Sequence, residues 1–131
     1  MNCSNQIDNL QLMELARGAM EAAYAPYTNK RVGAAVLTAS GKTFTGSMVE
    51  NISLSGATMC AERAAVFNAV SEGELEIAKL AIICETEQFM PPCGVCRQVF
   101  SVFLPDGEVL LGNCCGEEIR VYTTKELLPL L

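Results

Sequence analysis

Four residues of the types used in metal chemistry lie in two short motifs of this chain, which contains no histidine. Cys60 and Glu62 belong to the segment Cys-Ala-Glu-Arg, and Cys93 and Cys96 belong to Pro-Pro-Cys-Gly-Val-Cys-Arg-Gln. Three cysteine thiolates can bind Zn²⁺, and a catalytic zinc site keeps its fourth coordination position for water. A glutamate two residues after the first ligand can transfer protons beside that water. The motifs therefore predict a catalytic zinc site with Cys60, Cys93 and Cys96 as ligands and Glu62 as the proton-transfer group.

Two predicted helices place these motifs at their first turns. The second predicted helix covers residues 58–72, and the third begins at Pro92, where the missing N–H of proline has no helical partner to lose. Cys93 and Cys96 are three residues apart, so their thiols lie on one helix face. The partial positive charge of a helix N-terminus favours thiolates over thiols. We expect Arg63 to donate hydrogen bonds to the ligand sulfurs and to offset their negative charge.

The rest of the chain alternates predicted helices and strands without a repeat or a linker. A first helix is predicted over 9–24, capped by Asp8 or Asn9 with Gln11 as the capping-box partner. The run 78–84, which is apolar except for Lys79, is typical of a central strand that is covered on both faces. Further strands are predicted over 31–38, 42–48, 108–111 and 118–122, with a last helical turn after Thr124. This order predicts one α/β layered domain over residues 1–131, built on a mixed sheet.

Composition excludes several classes of partner. The formal net charge is −6, and the nine Lys and Arg residues are scattered, which argues against binding to a nucleic-acid backbone. The N-terminal segment lacks the basic and apolar regions of a signal peptide. No apolar run approaches the roughly 18 residues of a membrane span. We therefore expect a cytoplasmic protein without nucleic-acid or membrane partners, whose seven cysteines are metal ligands and buried thiols.

Beyond the zinc motifs, most of the chain resembles the small, homotetrameric cytidine deaminases, whose zinc signature is of this kind. The matching segments are 23–35, 44–73, 91–98 and 124–131, in the family's order. The resemblance implies a three-layer α/β fold with a five-stranded mixed sheet, one Zn²⁺ per chain and a homotetramer. It implies hydrolysis at C4 of cytidine or 2′-deoxycytidine with release of ammonia. Glu62 would carry the water's proton to N3 of the ring and then to the leaving amine.

The resemblance also assigns substrate-binding residues, and this chain departs from the family around the sugar. The backbone N–H of Ala61 is expected to bind the pyrimidine carbonyl, and Glu50 the ribose. Met48 stands where the family has a ribose-binding asparagine, and Lys30 stands where it has a phenylalanine beside the ring. The loop around Leu54 is one residue longer than usual. These departures motivate an alternative substrate, a cytosine nucleoside with a changed or acidic sugar, as in blasticidin-type deaminases.

Two other interpretations are open at the level of the sequence. The three cysteines would form a structural zinc site if Cys84, Cys114 or Cys115 supplied a fourth ligand. The chain could also be a catalytically silent zinc scaffold or oligomer partner, although the intact Glu62 argues against this. Otherwise we expect Cys84 to be a buried thiol and Cys114 and Cys115 to lie in a loop.

Overall fold

The computed structural model describes residues 7–51, 53 and 57–127, so that Cys3 and Leu54 lie outside the described part. Its elements follow the predicted order of helices and strands. In chain order they are α1 (Asn9–Glu21), β1 (Val32–Thr38), β2 (Thr43–Ser47), α2 (Ala61–Ser71), β3 (Ile77–Cys84), α3 (Gly94–Phe103), β4 (Glu108–Asn113), β5 (Arg120–Thr123) and α4 (Thr124–Leu127).

The five strands form one mixed sheet in the order β2-β1-β3-β4-β5. β3 and β4 are parallel, whereas the other neighbouring pairs are antiparallel. β3 is the middle strand, and from Leu80 to Cys84 every residue is buried. The predictions of a mixed five-stranded sheet and of a central strand covered on both faces are therefore confirmed.

Helices cover both faces of this sheet and give three layers. On one face, α1 packs through Leu12, Met13, Ala16 and Met20 against alternate residues of β1, β3 and β4. On the other face, α2 and α3 pack against the remaining alternate residues of the same strands. The approach of α1 is close, because a Cβ on Gly33 of β1 would lie 2.2 Å from the Ala16 carbonyl oxygen. Among the described residues, no helix has the length and apolarity that a membrane span requires.

Two helices, α1 and α2, are shorter than predicted because residues at their predicted ends form a short ladder of backbone hydrogen bonds instead. The N–H of Tyr24 donates to the Met48 carbonyl at 2.8 Å, and the N–H of Glu50 donates to the Tyr24 carbonyl at 2.9 Å. Residue 24 is thus extended, and α1 ends at Glu21. Val49 and Met59 exchange hydrogen bonds at 3.0 and 2.9 Å, so α2 cannot begin at residue 58.

The predicted position of Pro92 at the first turn of α3 is wrong. α3 begins at Gly94, and Cys93 is its N-cap with the extended dihedral angles φ −70° and ψ 168°. Pro92 therefore precedes the cap, and its carbonyl accepts a hydrogen bond from Arg97 Nε at 2.8 Å.

At α1 the predicted capping box is confirmed: the Asp8 carboxylate accepts from the Gln11 N–H at 2.8 Å, and Gln11 Oε1 accepts from the Asp8 N–H at 2.9 Å.

Candidate active site

Three cysteine sulfurs meet where the N-termini of α2 and α3 converge. Cys60 is the N-cap of α2, Cys93 is the N-cap of α3, and Cys96 lies in the first turn of α3. Their Sγ atoms all lie within 4.8 Å of one another, and the Cys93 and Cys96 sulfurs are 3.4 Å apart. Neither N-cap thiol makes a capping hydrogen bond to the backbone of its helix, and both sulfurs belong to the cluster. The local helix starts therefore build a three-sulfur site.

No fourth ligand joins this cluster among the described residues. Cys84, Cys114 and Cys115, which the structural-site interpretation would need, are not part of it. A closed structural zinc site takes four protein ligands, whereas a catalytic site takes three. The donor set therefore fits a Zn²⁺ ion that retains an open position.

Electrostatics at the cluster favour thiolate. Hydrogen bonds from Cys96 and from Arg63, together with the positive charge of Arg63, lower the pKa of Cys60 to about 5. The pKa of Cys96 is raised by its hydrogen bond to Cys60 and by its burial, so Cys96 keeps the proton that the two thiols share. Metal binding requires deprotonated sulfurs and releases such a proton. A cluster that already holds one thiolate beside a buried thiol is suited to Zn²⁺.

Arg63 contacts the cluster directly, through the sulfur of Cys60. Its Nη2 lies 3.3 Å from Cys60 Sγ and 3.3 Å from the Thr58 carbonyl oxygen. Its Nε is buried and has no hydrogen-bond partner among the described residues. The guanidinium therefore has a further donor to offer as negative charge accumulates on the sulfurs.

Glu62 is a buried carboxyl group beside the sulfurs, with only 7% of its surface exposed. Burial raises its pKa, and the negative charge on Cys60 raises it further. A carboxyl group whose pKa is moved toward neutrality can both accept and return a proton. The burial and the raised pKa of Glu62 are therefore compatible with proton transfer at this site.

An apolar cavity of about 170 Å³ opens onto these groups. Its ionisable lining groups are Cys60, Glu62 and Cys93. The rest of the lining comes from Val32, Met48, Ala61, Ile82, Met90 and Pro91. Such a cavity suits a flat ring with apolar faces whose reacting edge meets the carboxyl group and the metal site.

The residues predicted to contact the sugar are dispersed. Met48 lines the cavity, whereas Lys30 and Glu50 are not among the described residues that line it. Glu50 Oε1 accepts from the Tyr27 N–H at 3.0 Å, and Oε2 accepts from Thr28 Oγ1 at 2.5 Å. These bonds, that to Thr28 foremost, lower the pKa of Glu50. Lys30 is exposed to solvent, and its N–H donates to Thr28 Oγ1 at 3.2 Å.

This arrangement agrees with comparisons to known proteins. The family model described as the cytidine and deoxycytidylate deaminase zinc-binding region matches residues 6–110. The chain belongs to this family. It is 44% identical over 124 residues to a cytidine deaminase of Halalkalibacterium halodurans, which covers 94% of this chain and 92% of that protein. Zinc is thus the metal that the family and the cluster of Cys60, Cys93 and Cys96 have in common.

Solved structures of cytidine deaminases share the fold. The crystal structure of the enzyme from Burkholderia pseudomallei matches with a TM-score of 0.88 and 43% identity, over 95% of this chain and 98% of that one. The blasticidin-S deaminase of Bacillus cereus is more distant, at 29% identity over 98% of this chain and 94% of that protein. The similarity is therefore greater to the cytidine deaminases than to the enzyme that motivated the acidic-sugar alternative.

Sequence reasoning did not identify several residues that shape this deaminase-family site. Val32 and Ile82 come from β1 and β3, and only the pairing of these strands brings them to the cavity. Nor was Thr28 identified from the sequence as the hydrogen-bond partner of Glu50. Its hydroxyl group, two positions before Lys30, marked it as a possible donor. Arg97 was also missed: besides Pro92 it binds the Leu127 carbonyl at 3.0 Å and so ties the Cys93 loop to α4.

Proposed function

We propose that this protein catalyses the zinc-dependent hydrolytic deamination of cytidine and 2′-deoxycytidine to uridine and 2′-deoxyuridine, with release of ammonia. One observation carries the proposal: the buried carboxyl group of Glu62 lies beside an open three-cysteine cluster in an apolar cavity. The high identity to cytidine deaminases supports this choice of substrate. This reaction converts free cytosine nucleosides into uracil nucleosides that can be reused, which is a role in pyrimidine salvage.

Each residue of the site has a distinct task in this proposal. Cys60, Cys93 and Cys96 would hold one Zn²⁺ per chain, which when bound supplies an activated water as nucleophile. Glu62 would accept one proton of the attacking water and deliver it to N3 of the cytosine ring. It would then take the second proton from the hydroxyl group added at C4 and deliver it to the amine, which leaves as ammonia while the C4 carbonyl forms. Its raised pKa matches the two directions of transfer, because a carboxyl group with an ordinary pKa would be a poor acid near pH 7.

The base and the sugar are assigned to backbone and side chains around the cavity. The Ala61 N–H lies at the first position of α2, where helical geometry provides no intrahelical acceptor, so it can bind the pyrimidine carbonyl. Glu50 is assigned to the ribose hydroxyls, and its bonds to residues 27 and 28 hold its carboxylate in place. Met48 gives the sugar side an apolar wall.

We further propose a cytoplasmic homotetramer of single-domain chains that binds neither nucleic acid nor membrane. The free thiols of the described cysteines support a reducing compartment. The net charge of −6 argues against a polyanionic substrate. Exposed valines on α3, with Val95 58% and Val102 67% exposed, support a surface that another subunit covers.

The decisive experiment is a deamination screen on zinc-loaded protein with cytidine, deoxycytidine, cytosine and an acidic-sugar cytosine nucleoside. We expect the nucleosides cytidine and deoxycytidine to be the best substrates. Glu62→Gln should retain zinc and fold but lose about 10²–10⁴-fold in turnover, because the amide cannot carry protons. Glu72→Gln, at the exposed C-terminal end of the same helix, is the matched control.

Three results would contradict the proposal in different ways. Near-normal turnover by Glu62→Gln would assign the proton transfer to another group. Preference for the acidic-sugar nucleoside would favour the alternative substrate. X-ray absorption with four sulfurs around zinc, together with no turnover of any substrate, would indicate a structural site or silent scaffold.

A further inference from the structure

A second pair of thiols lies away from the active-site cluster, in the turn that follows β4. Cys114 and Cys115 are adjacent in the chain, and both are exposed. Their Sγ atoms are 2.9 Å apart. Neither belongs to the cluster of Cys60, Cys93 and Cys96. Two solvent-accessible sulfurs in contact are a bidentate donor set that the deamination reaction does not use.

Hydrogen bonds fix the backbone that presents this pair. The N–H of Cys114 donates to the Thr86 carbonyl at 3.0 Å, and the N–H of Cys115 donates to Asn113 Oδ1 at 3.3 Å. The Asn113 side chain in turn donates to the Glu87 carbonyl at 2.6 Å. The peptide groups around both cysteines are therefore held by a neighbouring loop, and the two sulfurs meet without a rearrangement of the turn.

Adjacent cysteines are poorly suited to a disulfide bond. Consecutive Cα atoms across a trans peptide are about 3.8 Å apart, whereas ordinary disulfides join Cα atoms roughly 4.4–6.8 Å apart. The chain contains no cis peptide among the residues that the structure describes. A disulfide between Cys114 and Cys115 would be strained and easily reduced. The pair is consequently better suited to an atom that bridges the two sulfurs.

The number of donors selects the kind of bridging atom. Among the described residues, no third His, Cys, Asp or Glu ligand atom forms a metal-binding group with this pair. Zn²⁺ sites take at least three protein ligands. The hydrogen bond that the Cys115 thiol shares with Cys114, together with the nearby negative charge of Glu87, raises the pKa of Cys115, which favours the protonated thiol. A partner that reacts with two thiols, rather than one that needs two thiolates, fits these conditions.

We propose that Cys114 and Cys115 form a binding site for monosubstituted trivalent arsenicals, separate from the zinc site. With phenylarsine oxide, two As–S bonds form and two S–H bonds break. The oxide oxygen leaves as water with the two thiol protons. Arsenic stays trivalent and keeps its phenyl group, so no oxidant or reductant is needed. Sulfur is the soft donor that such a soft centre prefers.

The test uses the full-length, zinc-loaded protein, in which Cys60, Cys93 and Cys96 are expected to be occupied by zinc. Phenylarsine oxide is titrated, and the bound mass and the zinc content are measured together. We expect one arsenical per chain, with zinc retained, for the wild type and for Cys3→Ser, which leaves the pair intact. Cys114→Ser and Cys115→Ser should each bind at least about 100-fold more weakly, because a single thiol loses the gain from linked donors.

Mapping of the modified residues gives an independent check. Arsenical-treated wild type should show Cys114 and Cys115 protected from alkylation, and a dithiol reagent should restore both. Three outcomes would overturn the proposal: equal binding by the single variants, uptake that occurs only as zinc is released, or a wild type that binds no arsenical because the pair is inert or a disulfide.

Discussion

Arg63 influences the proposed chemistry without any described contact to the cavity. Its guanidinium donates to Cys60 Sγ and is anchored by the Thr58 carbonyl. This places a fixed positive charge behind one ligand sulfur. Three thiolates donate much electron density to a metal, and Arg63 withdraws part of it. We therefore expect the zinc affinity and the acidity of the metal site to depend partly on a residue that is not a ligand.

Removal of this charge should weaken the metal site. We expect Arg63→Ala to lower zinc affinity by about 10–100-fold, the usual cost of losing a group that supports a metal ligand. Competition with a chromogenic chelator measures this affinity directly. Arg17→Ala removes an arginine whose ion pair with Glu14 is on the surface, and it should leave zinc affinity unchanged. Equal affinities for the two variants would exclude the role of Arg63.

Met48 is the residue at which sugar recognition can be tested. Its side chain lines the cavity where the resemblance predicts an asparagine. Met48→Asn restores a polar partner worth about 1 kcal/mol, so kcat/KM for cytidine should rise about fivefold. Cytosine, which lacks the sugar, should show no such gain.

Lys30→Phe, made alone and together with Met48→Asn, tests the other departure from the family. If the acidic-sugar alternative holds, the double variant should gain cytidine turnover and lose turnover of the acidic-sugar substrate. Lys30 is exposed, so a null effect of Lys30→Phe on both substrates would identify it as a solvated lysine. A double variant no better than wild type on cytidine would show that these departures are neutral.

At the scale of elements, the position of α2 depends on a glycine in a neighbouring strand. A Cβ on Gly46 of β2 would lie 2.3 Å from the Ala65 N and 2.4 Å from the Ala61 carbonyl oxygen. The first turn of α2 therefore rests directly on the strand backbone. Since this turn follows Cys60 directly and carries Glu62, the strand sets the position of these two side chains.

Gly46→Ala should damage stability and activity together. Overpacking of this kind costs about 1–3 kcal/mol, and relief requires α2 to move away from β2. Denaturant unfolding and kcat on cytidine measure the two effects. Gly18→Ala is the matched control: apart from its chain neighbours and its own helix backbone, no described atom lies within 4 Å of its added Cβ, and alanine favours the helix by up to about 1 kcal/mol. An active Gly46→Ala variant of normal stability would contradict this explanation.

The elements also show what the sequence can and cannot predict. Local signals were sufficient for the capping box of Asp8 and Gln11, for the buried central strand and for the cluster of three cysteines. The C-terminal end of α1 and the start of α2 were misplaced because Tyr24 and Met59 pair with a segment around Val49. The cavity walls were missed for the same reason: Val32 and Ile82 meet only through strand pairing.

At the scale of the whole molecule, Arg31 joins three elements. Its Nε lies 3.0 and 3.1 Å from the two carboxylate oxygens of Glu85, which follows β3 directly. Its Nη1 donates to the Glu21 carbonyl at the end of α1 at 3.0 Å. The backbones of Arg31 and Glu85 are also paired. One side chain thus connects α1, the start of β1 and the end of β3.

This connection should make stability depend on pH. The Arg31 guanidinium holds the pKa of Glu85 below its ordinary value, so the folded state stabilises the carboxylate of Glu85 relative to its protonated form. The stabilisation is fully present above the unfolded glutamate pKa of about 4.3. It is lost as pH falls through the lower folded-state pKa.

Glu85→Gln should therefore melt at a lower temperature than wild type near pH 7, and the difference should shrink toward zero in strong acid. Thermal unfolding followed by circular dichroism from pH 7 down to acid measures it. Glu118→Gln breaks an ion pair whose side chains are 51% and 66% exposed, and it should change little at any pH. A Glu85→Gln deficit that persists unchanged in acid would refute the electrostatic origin.

The ladder around Val49 also bears on how this scaffold can diversify. Val49 pairs with Tyr24 on one side and with Met59 on the other, immediately before Cys60. Backbone pairing therefore holds together the two ends of the segment between residues 49 and 59. Because both ends of this segment are paired, insertions or deletions between them should leave the register of α2, and with it the position of Cys60, unchanged. Changes of chain length should accordingly be better tolerated in this segment than beyond Met59.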